Sequence, residues 1–214
     1  MTPSRPDPEH VAAVTSASLS DAMADRFTHR FHILDLISPV PDRVLFGPAA
    51  TMQFMPRRED LRDPDVHDFA PVLNDAVGGD GEGAVLVVSS GGCPDAAVAG
   101  GKKISRLRGL GMAGILTDAR LRDFDEVDEL GIAAWCGGET TLADRREAMP
   151  FSAGVPVSLE SVTVIPGDWI YADAAGAVVI PAAARDEIIA AAVQREREDA
   201  AEVQRIAEEY SRRD

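Results

Sequence analysis

The segment Ala84-Val-Leu-Val-Val-Ser89 constrains this 214-residue chain more than any other. It is a continuous apolar run set between a glycine-rich turn, Gly78-Gly79-Asp80-Gly81-Glu82-Gly83, and the pair Gly91-Gly92. A strand with one wet face alternates apolar and polar residues. A short run without alternation is expected of a strand buried on both faces, as in a sheet covered by helices on either side. Residues 113–117 and 132–135 read as two further short buried strands. Between the first two strands, a helix is expected from about Asp95 or Gly100 to Arg108, with Gly109 as its stop.

The rest of the chain fits that frame. From Pro8 to about Arg26, Val11, Val14, Leu19, Ala22 and Met23 recur at helical spacing, with Ser20-Asp21 as a possible restart. Residues 44–54 read as a strand bent at Gly47-Pro48, 56–68 as a charged loop, and 69–77 as a short helix. Residues 118–123 leave the second buried strand as a loop, and 124–130 read as one helical turn. Three β segments follow, over 155–165, 168–172 and 177–180, with turns at Pro166-Gly167 and Ala174-Ala175-Gly176. Pro181 opens a long helix from about Ala182 to Arg213. Its charge-rich second half is expected to project from the core or to pack on a partner subunit. The organisation is a disordered lead over 1–7, one domain over 8–181 and a C-terminal helix over 182–214. The class is α/β, or α+β, with one core.

Composition sets limits on partners. Hydrophobic residues make up 45% and charged residues 27%, enough for a real core. The formal net charge of -15 disfavours a nucleic-acid backbone or an anionic membrane as partner, so an anionic small molecule would need a local basic pocket. No apolar run approaches the ~20 residues of a membrane span, and residues 1–10 hold no apolar core of a signal peptide. The two cysteines, Cys93 and Cys136, form no CxxC pair and read as reduced thiols of a cytoplasmic protein.

Several motifs fail on context. Gly109-Leu-Gly111-Met-Ala-Gly114 matches GxGxxG by letters. A dinucleotide fingerprint follows a strand and opens a helix, whereas these glycines follow a helix and open a strand. Gly100-Gly101-Lys102-Lys103 is not a P-loop, since Ala96 stands where the first glycine is needed and Ile104 follows Lys103. Four histidines show no HExxH spacing, and Ser89-Ser90-Gly91 lacks the glycine of a nucleophile elbow.

Two stretches retain chemical promise. Gly91-Gly92 and Gly100-Gly101-Lys102-Lys103 leave backbone N–H groups approachable near a helix start, where the helix dipole favours a carboxylate or phosphate. Lys102, Lys103, Arg106 and Arg108 add positive charge, though a solvated basic helix face would look the same. The second stretch, Thr117 to Asp123, leaves the C-terminal end of a buried strand, where α/β proteins commonly build sites. There Arg122 offers a planar fork for a carboxylate, and Asp123 a hard oxygen ligand for Mg²⁺. A surface Arg–Asp ion pair is the plain alternative.

These residues carry a resemblance. The buried strand at 84–88, Gly91-Gly92, Gly100-Gly101 and Gly111-Met-Ala-Gly114-Ile-Leu-Thr-Asp118-Ala-Arg-Leu-Arg122-Asp123 are similar to the signature of the RraA-like family. So are Pro166-Gly167-Asp168, Ala172-Asp173 and Gly176-Ala-Val-Val-Ile-Pro181 downstream, and Leu19-Ser20-Asp21-Ala22 and Phe46-Gly47-Pro48-Ala49-Ala50-Thr51 upstream. The family includes divalent-metal-dependent 4-hydroxy-4-methyl-2-oxoglutarate aldolases. The resemblance implies a swivelling ββα-type domain of packed sheets flanked by helices, assembled as trimers or hexamers with sites between subunits. It implies that Arg122 holds the carboxylate or keto oxygen of a pyruvyl group. Asp123 would hold Mg²⁺ or Mn²⁺, and the backbone near Gly100, Gly101, Lys102 and Lys103 would bind the carboxylate. A C-terminal glutamate of a neighbouring subunit, Glu198 or else Glu196 or Glu202, would act on metal-bound water.

One departure bears on the reaction. The aldolases carry an Asp or Glu where this chain has Gly101, an acid that places the water used in proton transfer. Asp95 and Asp118 stand as candidates to replace it. A second departure, Ala119 where the family often has glycine, stiffens the loop. The implied function is a metal-dependent lyase acting on a small anionic 2-oxo acid, by retro-aldol cleavage or oxaloacetate-type decarboxylation through a pyruvate enolate. The alternative is a non-catalytic RraA-type protein-binding regulator.

Overall fold

The computed structural model describes residues 8–211. In chain order its elements are α1 (Pro8–Ala12), α2 (Ser16–Ala24), β1 (His32–Ile33), β2 (Leu45–Pro56), α3 (Phe69–Val77), β3 (Val85–Ser89), β4 (Ala97–Ala99), α4 (Gly101–Gly109), β5 (Gly114–Thr117), β6 (Arg120–Leu121), α5 (Phe124–Leu130), β7 (Ala133–Trp135), α6 (Asp144–Glu147), β8 (Ala148–Ala153), β9 (Val157–Leu159), β10 (Val162–Val164), β11 (Trp169–Asp173), β12 (Gly176–Ile180) and, after a 3-10 turn at Ala182–Ala184, α7 (Arg185–Ser211).

The main sheet runs β1-β12-β11-β2-β3-β5-β7. Its β2-β3-β5-β7 half is parallel and its β1-β12-β11-β2 half antiparallel. The long β2 serves both halves, pairing with β11 through Leu45–Pro48, with β3 through Ala49–Gln53 and with β8 through Met52–Pro56. The apolar run at 84–89 explains why. Leu86 and Val88 face a core built with Leu73 of α3, Ile104 and Leu107 of α4 and Val127 of α5. Val85 and Val87 face the opposite core, shared with the β9–β10 hairpin and Ile170 of β11. A third cluster joins Leu19 and Met23 of α2 and Ile188, Ile189 and Ala192 of α7 to Trp169, Tyr171, Val178 and Ile180 of the sheet. Each fully buried aliphatic side chain contributes about 1.5–3 kcal/mol of transfer free energy, so β3, buried on both faces, anchors the domain.

The mixed α/β class, helices flanking sheets and a long C-terminal helix are as the sequence predicts, and the 69–77 helix falls where expected. Local chemistry moves other boundaries. The first helix is two, because Thr15 rather than Ser20-Asp21 marks the restart. Thr15 Oγ1 accepts the Ser18 N–H at 3.1 Å and Ser18 Oγ accepts the Thr15 N–H at 3.1 Å, a reciprocal cap. The 155–165 segment divides at Glu160, whose φ of 51° turns it into the β9–β10 hairpin. Gly109 is the last residue of α4 and not its stop. The turn is made at Gly111, with φ of 67°. The disordered lead expected over 1–7 lies outside the described residues, as do 212–214 at the end of the predicted C-terminal helix. Among the described residues, no helix is long and apolar enough to cross a membrane.

Candidate functional site

Two short strands missed by sequence periodicity, β4 and β6, place the site. They lie side by side in parallel, with the Arg120 N–H donating to Ala96 O at 3.2 Å and the Arg122 N–H to Ala99 O at 2.9 Å. The other edge of β6 is pinned as well. The Leu121 N–H donates to Gly138 O at 2.9 Å and the Thr140 N–H to Leu121 O at 3.0 Å. Arg122-Asp123 thus emerges fixed on both sides, directly against the Gly100-Gly101 start of α4. The approach is close: a Cβ on Gly100 would lie 2.6 Å from Asp123 Oδ2 and 3.1 Å from Arg122 Cβ. Glycine at position 100 is what lets the two segments meet.

Asp123 sits in the left-handed region, with φ 61° and ψ 48°, a conformation that non-glycine residues adopt at some cost. It stands at the N-cap position of α5, yet its side chain does not cap that helix. Glu139 does so instead, one carboxylate oxygen accepting the Phe124 N–H at 3.0 Å. The Asp123 carboxylate is thereby released to face α4, where Oδ2 lies 3.4 Å from the Gly101 amide nitrogen and Oδ1 3.7 Å from Arg122 Nε. Both contacts are long, and the two side chains stay about 40% exposed, at 43% for Arg122 and 37% for Asp123. The surface ion pair that the sequence also allows is therefore present, as a long contact of 3.7 Å between two partly exposed side chains.

The open space beside them is a cavity of about 370 Å³ whose lining includes Gly100, Lys102, Arg122, Asp123, Glu126 and Arg145. That is in the size range of small-molecule sites. A second opening of about 490 Å³ runs along the other side of Arg122 and Asp123, past Glu139, Thr140 and Thr141. Beyond Lys102 the surface continues into a basic cavity of about 460 Å³ that includes Arg57, Arg62 and Arg106. The local basic pocket required by so acidic a chain is therefore present. At the start of α4, Gly100 supplies no side-chain cap. The Lys103 amide turns back to Gly100 O at 2.9 Å and the Gly101 amide faces Asp123 at 3.4 Å, so at the positive end of the helix the Lys102 amide is open to an anion and the Gly101 amide is held only by that long contact.

The other residues singled out from sequence fall in different places. Lys103 lines the cavity, but its ammonium is engaged. It donates to Val98 O at 2.8 Å and to Asp144 at 2.6 Å, and lies 4.8 Å from the centre of the Phe69 ring. Among the described residues Lys102 has no such contact, and it lines the cavity together with Arg122 and Arg145. Gly91-Gly92 does not line it. Gly91 serves packing, since a Cβ there would run into the Phe54 carbonyl. Asp95 pairs with Arg120 at 3.4 Å. Asp118 is turned to the Gly91 side, accepting the Ser90 N–H at 2.7 Å and the Ser90 hydroxyl at 3.2 Å, and burial raises its pKa. Neither Asp95 nor Asp118 lines the cavity. On α7, Glu196 accepts from Thr15 at 2.8 Å, Glu198 from Gln194 at 2.7 Å, and Glu202 pairs with Arg205. None of the three lines a cavity that Arg122 lines within this chain.

Glu126 also lines the cavity and is not among the residues singled out from the sequence. It stands in the first turn of α5, three residues after Asp123, and that short spacing of two carboxylates was the available signal. As metal donors, the described residues offer no group of three or more His, Cys, Asp or Glu side chains. Asp123 alone fits a hydrated hard cation that takes a single protein carboxylate and keeps its waters, not an all-protein cage.

The chain has relatives among known sequences and solved structures. A protein of Burkholderia mallei is 35% identical over 136 residues, 62% of this chain and 73% of its own. Its assigned name, 4-hydroxy-4-methyl-2-oxoglutarate aldolase, is provisional. The crystal structure of Streptomyces coelicolor RraAS2, described as an unusual member of the RNase ES inhibitor RraA protein family, is 32% identical with a TM-score of 0.81, covering 94% of this chain and 100% of that one. An uncharacterized protein from Pseudomonas syringae shares the fold at 22% identity, with a TM-score of 0.81 over 96% of this chain and 93% of its own. The family model described as RraA-like, Aldolase/RraA, matches residues 16–179. On a match that runs from α2 into β12, this chain belongs to the RraA-like family.

Proposed function

We propose that this chain is a divalent-metal-dependent lyase of small anionic 2-oxo acids, cleaving a 4-hydroxy-2-oxo acid by retro-aldol reaction or decarboxylating oxaloacetate. One observation carries the reading. Arg122 and Asp123 are fixed at the exit of β6, against the bare start of α4, with an open cavity between them and Lys102. The naming of the Burkholderia relative supports it.

The residues divide the work by charge. Amides of Gly101 and Lys102 and the Lys102 ammonium receive the substrate carboxylate. The Arg122 guanidinium holds the 2-oxo group and its carboxylate in one plane. As the C3–C4 bond breaks, its electron pair moves onto the 2-oxo oxygen, and negative charge grows where Arg122 already stands. A Mg²⁺ or Mn²⁺ ion held by Asp123 would supply Lewis-acid polarisation of that oxygen. No lysine Schiff base is required. A homotrimer or homohexamer belongs to the same proposal, with Glu198 brought from a neighbouring subunit to the metal's water. Val203, Ile206 and Tyr210, exposed at 67%, 43% and 61% along α7, support packing of that helix on a partner.

The test is pyruvate release from 4-hydroxy-4-methyl-2-oxoglutarate and from oxaloacetate, with Mg²⁺ or EDTA. The lyase predicts metal-dependent turnover that Arg122→Ala and Asp123→Ala each abolish. The likeness to RraAS2 and the glycine at position 101 favour a second reading, a non-catalytic protein-binding regulator. A folded oligomer that turns over neither substrate supports that reading.

A further inference from the structure

We propose that Glu126 is the proton carrier of this site, the carboxylate that protonates the enolate carbon as pyruvate forms. The inference rests on the lyase reading above and deepens it. A lyase that releases pyruvate must deliver a proton to C3, so an acid has to border the substrate.

The structure identifies which one. Glu126 leaves the first turn of α5 and reaches across to α4. A Cβ on Gly101 would overlap the Glu126 carboxylate and lie 3.0 Å from its Cδ and 3.2 Å from its Cβ. Position 101 is bare because a side chain from the neighbouring helix already fills its space. Gly100 is bare for the same reason toward Asp123. Two consecutive glycines thus admit two carboxylates to the same cavity from one turn of α5.

The other acids there have partners. Asp144 is held by Lys103 at 2.6 Å, and Asp123 faces the Gly101 amide and Arg122. Asp95 and Asp118 are turned to Arg120 and Ser90. Among the described residues, no hydrogen bond or ion pair engages Glu126, although it lines the cavity. A carboxylate without a fixed partner, facing a space of about 370 Å³, is free to exchange protons with a bound substrate. The balance closes without a co-reactant. The ionised Glu126 takes the 4-hydroxyl proton as the C4 carbonyl forms and the C3–C4 bond breaks. The neutral acid then gives that proton to C3, making the methyl group of pyruvate and restoring the carboxylate.

The experiment uses the full-length oligomer and two readouts. One is pyruvate release from 4-hydroxy-4-methyl-2-oxoglutarate. The other is exchange of pyruvate methyl protons with D₂O, followed by NMR, which reports proton transfer at C3 alone. Glu126→Gln is expected to lower both by about 100-fold or more, with KM changed by less than about 3-fold and the oligomer intact. Moving the acid tests its role against a structural one. Glu126→Ala with Gly101→Asp places a carboxylate at the vacated position and is expected to recover at least ~10-fold over Glu126→Ala alone. An active wild type with unchanged exchange in Glu126→Gln overturns this inference and leaves the lyase reading standing. So does a double variant no better than Glu126→Ala. An inactive wild type overturns both readings.

Discussion

Asp123 offers a way to separate a functional carboxylate from a structural one. Its backbone is left-handed, with φ 61° and ψ 48°, and its side chain does not cap α5. That conformation costs a residue with a Cβ about 1 kcal/mol. Asp123→Gly removes the cost. It also gives the unfolded chain about 0.4–1 kcal/mol of extra backbone entropy to lose, and it forfeits two long contacts, at 3.4 Å to the Gly101 amide and 3.7 Å to Arg122. The terms nearly cancel, so Asp123→Gly is expected within about 0.5 kcal/mol of wild type. Asp123→Ala keeps the Cβ and loses the local polar contacts that let Asp tolerate the turn, so it should lose about 0.5–1 kcal/mol. With a urea slope of roughly 2 kcal/mol/M for a chain of this size, the glycine variant's midpoint moves by less than about 0.3 M and the alanine variant's falls by about 0.3–0.5 M. Both variants should lose pyruvate release. A fall of more than about 1.5 kcal/mol in Asp123→Gly would show that the carboxylate holds the fold together and would refute the argument.

Gly91→Ala should destabilise by more than about 3 kcal/mol, since its Cβ runs into the Phe54 carbonyl and its φ is 62°; wild-type stability by thermal unfolding would contradict the packing described. Asp118 should make stability fall with rising pH. Burial raises its folded pKa above the ordinary 3.8, so its contribution is full below the unfolded pKa and is lost as pH rises through the folded one. Asp118→Asn removes that dependence, so wild-type stability relative to Asp118→Asn should decline as pH rises from the ordinary carboxylate value through the raised pKa of Asp118, and a difference independent of pH would refute it.

The sequence and the structure agree where one kind of force decides the outcome. The apolar run at 84–89 dictates a strand buried on both faces, and Leu86, Val88, Val85 and Val87 divide accordingly between two cores. The Arg122-Asp123 pair stands out in the sequence as well, because the two residues are neighbours in the chain, and the structure sets them beside the Gly100-Gly101 start of α4. Strands β4 and β6 do not stand out. Ala97–Ala99 and Arg120–Leu121 are too short to show a period, and they exist only because they pair with each other across distant segments. For the same reason the sequence points to Asp95 and Asp118, and not to Glu126, as stand-ins for an acid at position 101. Glu126 meets Gly101 only once α4 and α5 pack.

The central claim is that the start of α4 and the Arg122-Asp123 corner form one binding site for a keto acid. Its most direct test is the crystal structure of the protein soaked with Mg²⁺ and pyruvate. The claim predicts pyruvate with its carboxylate on the Gly101 and Lys102 amides and its keto oxygen toward Arg122, beside an ion on Asp123. Saturating pyruvate bound elsewhere, with this corner holding only solvent, would contradict it.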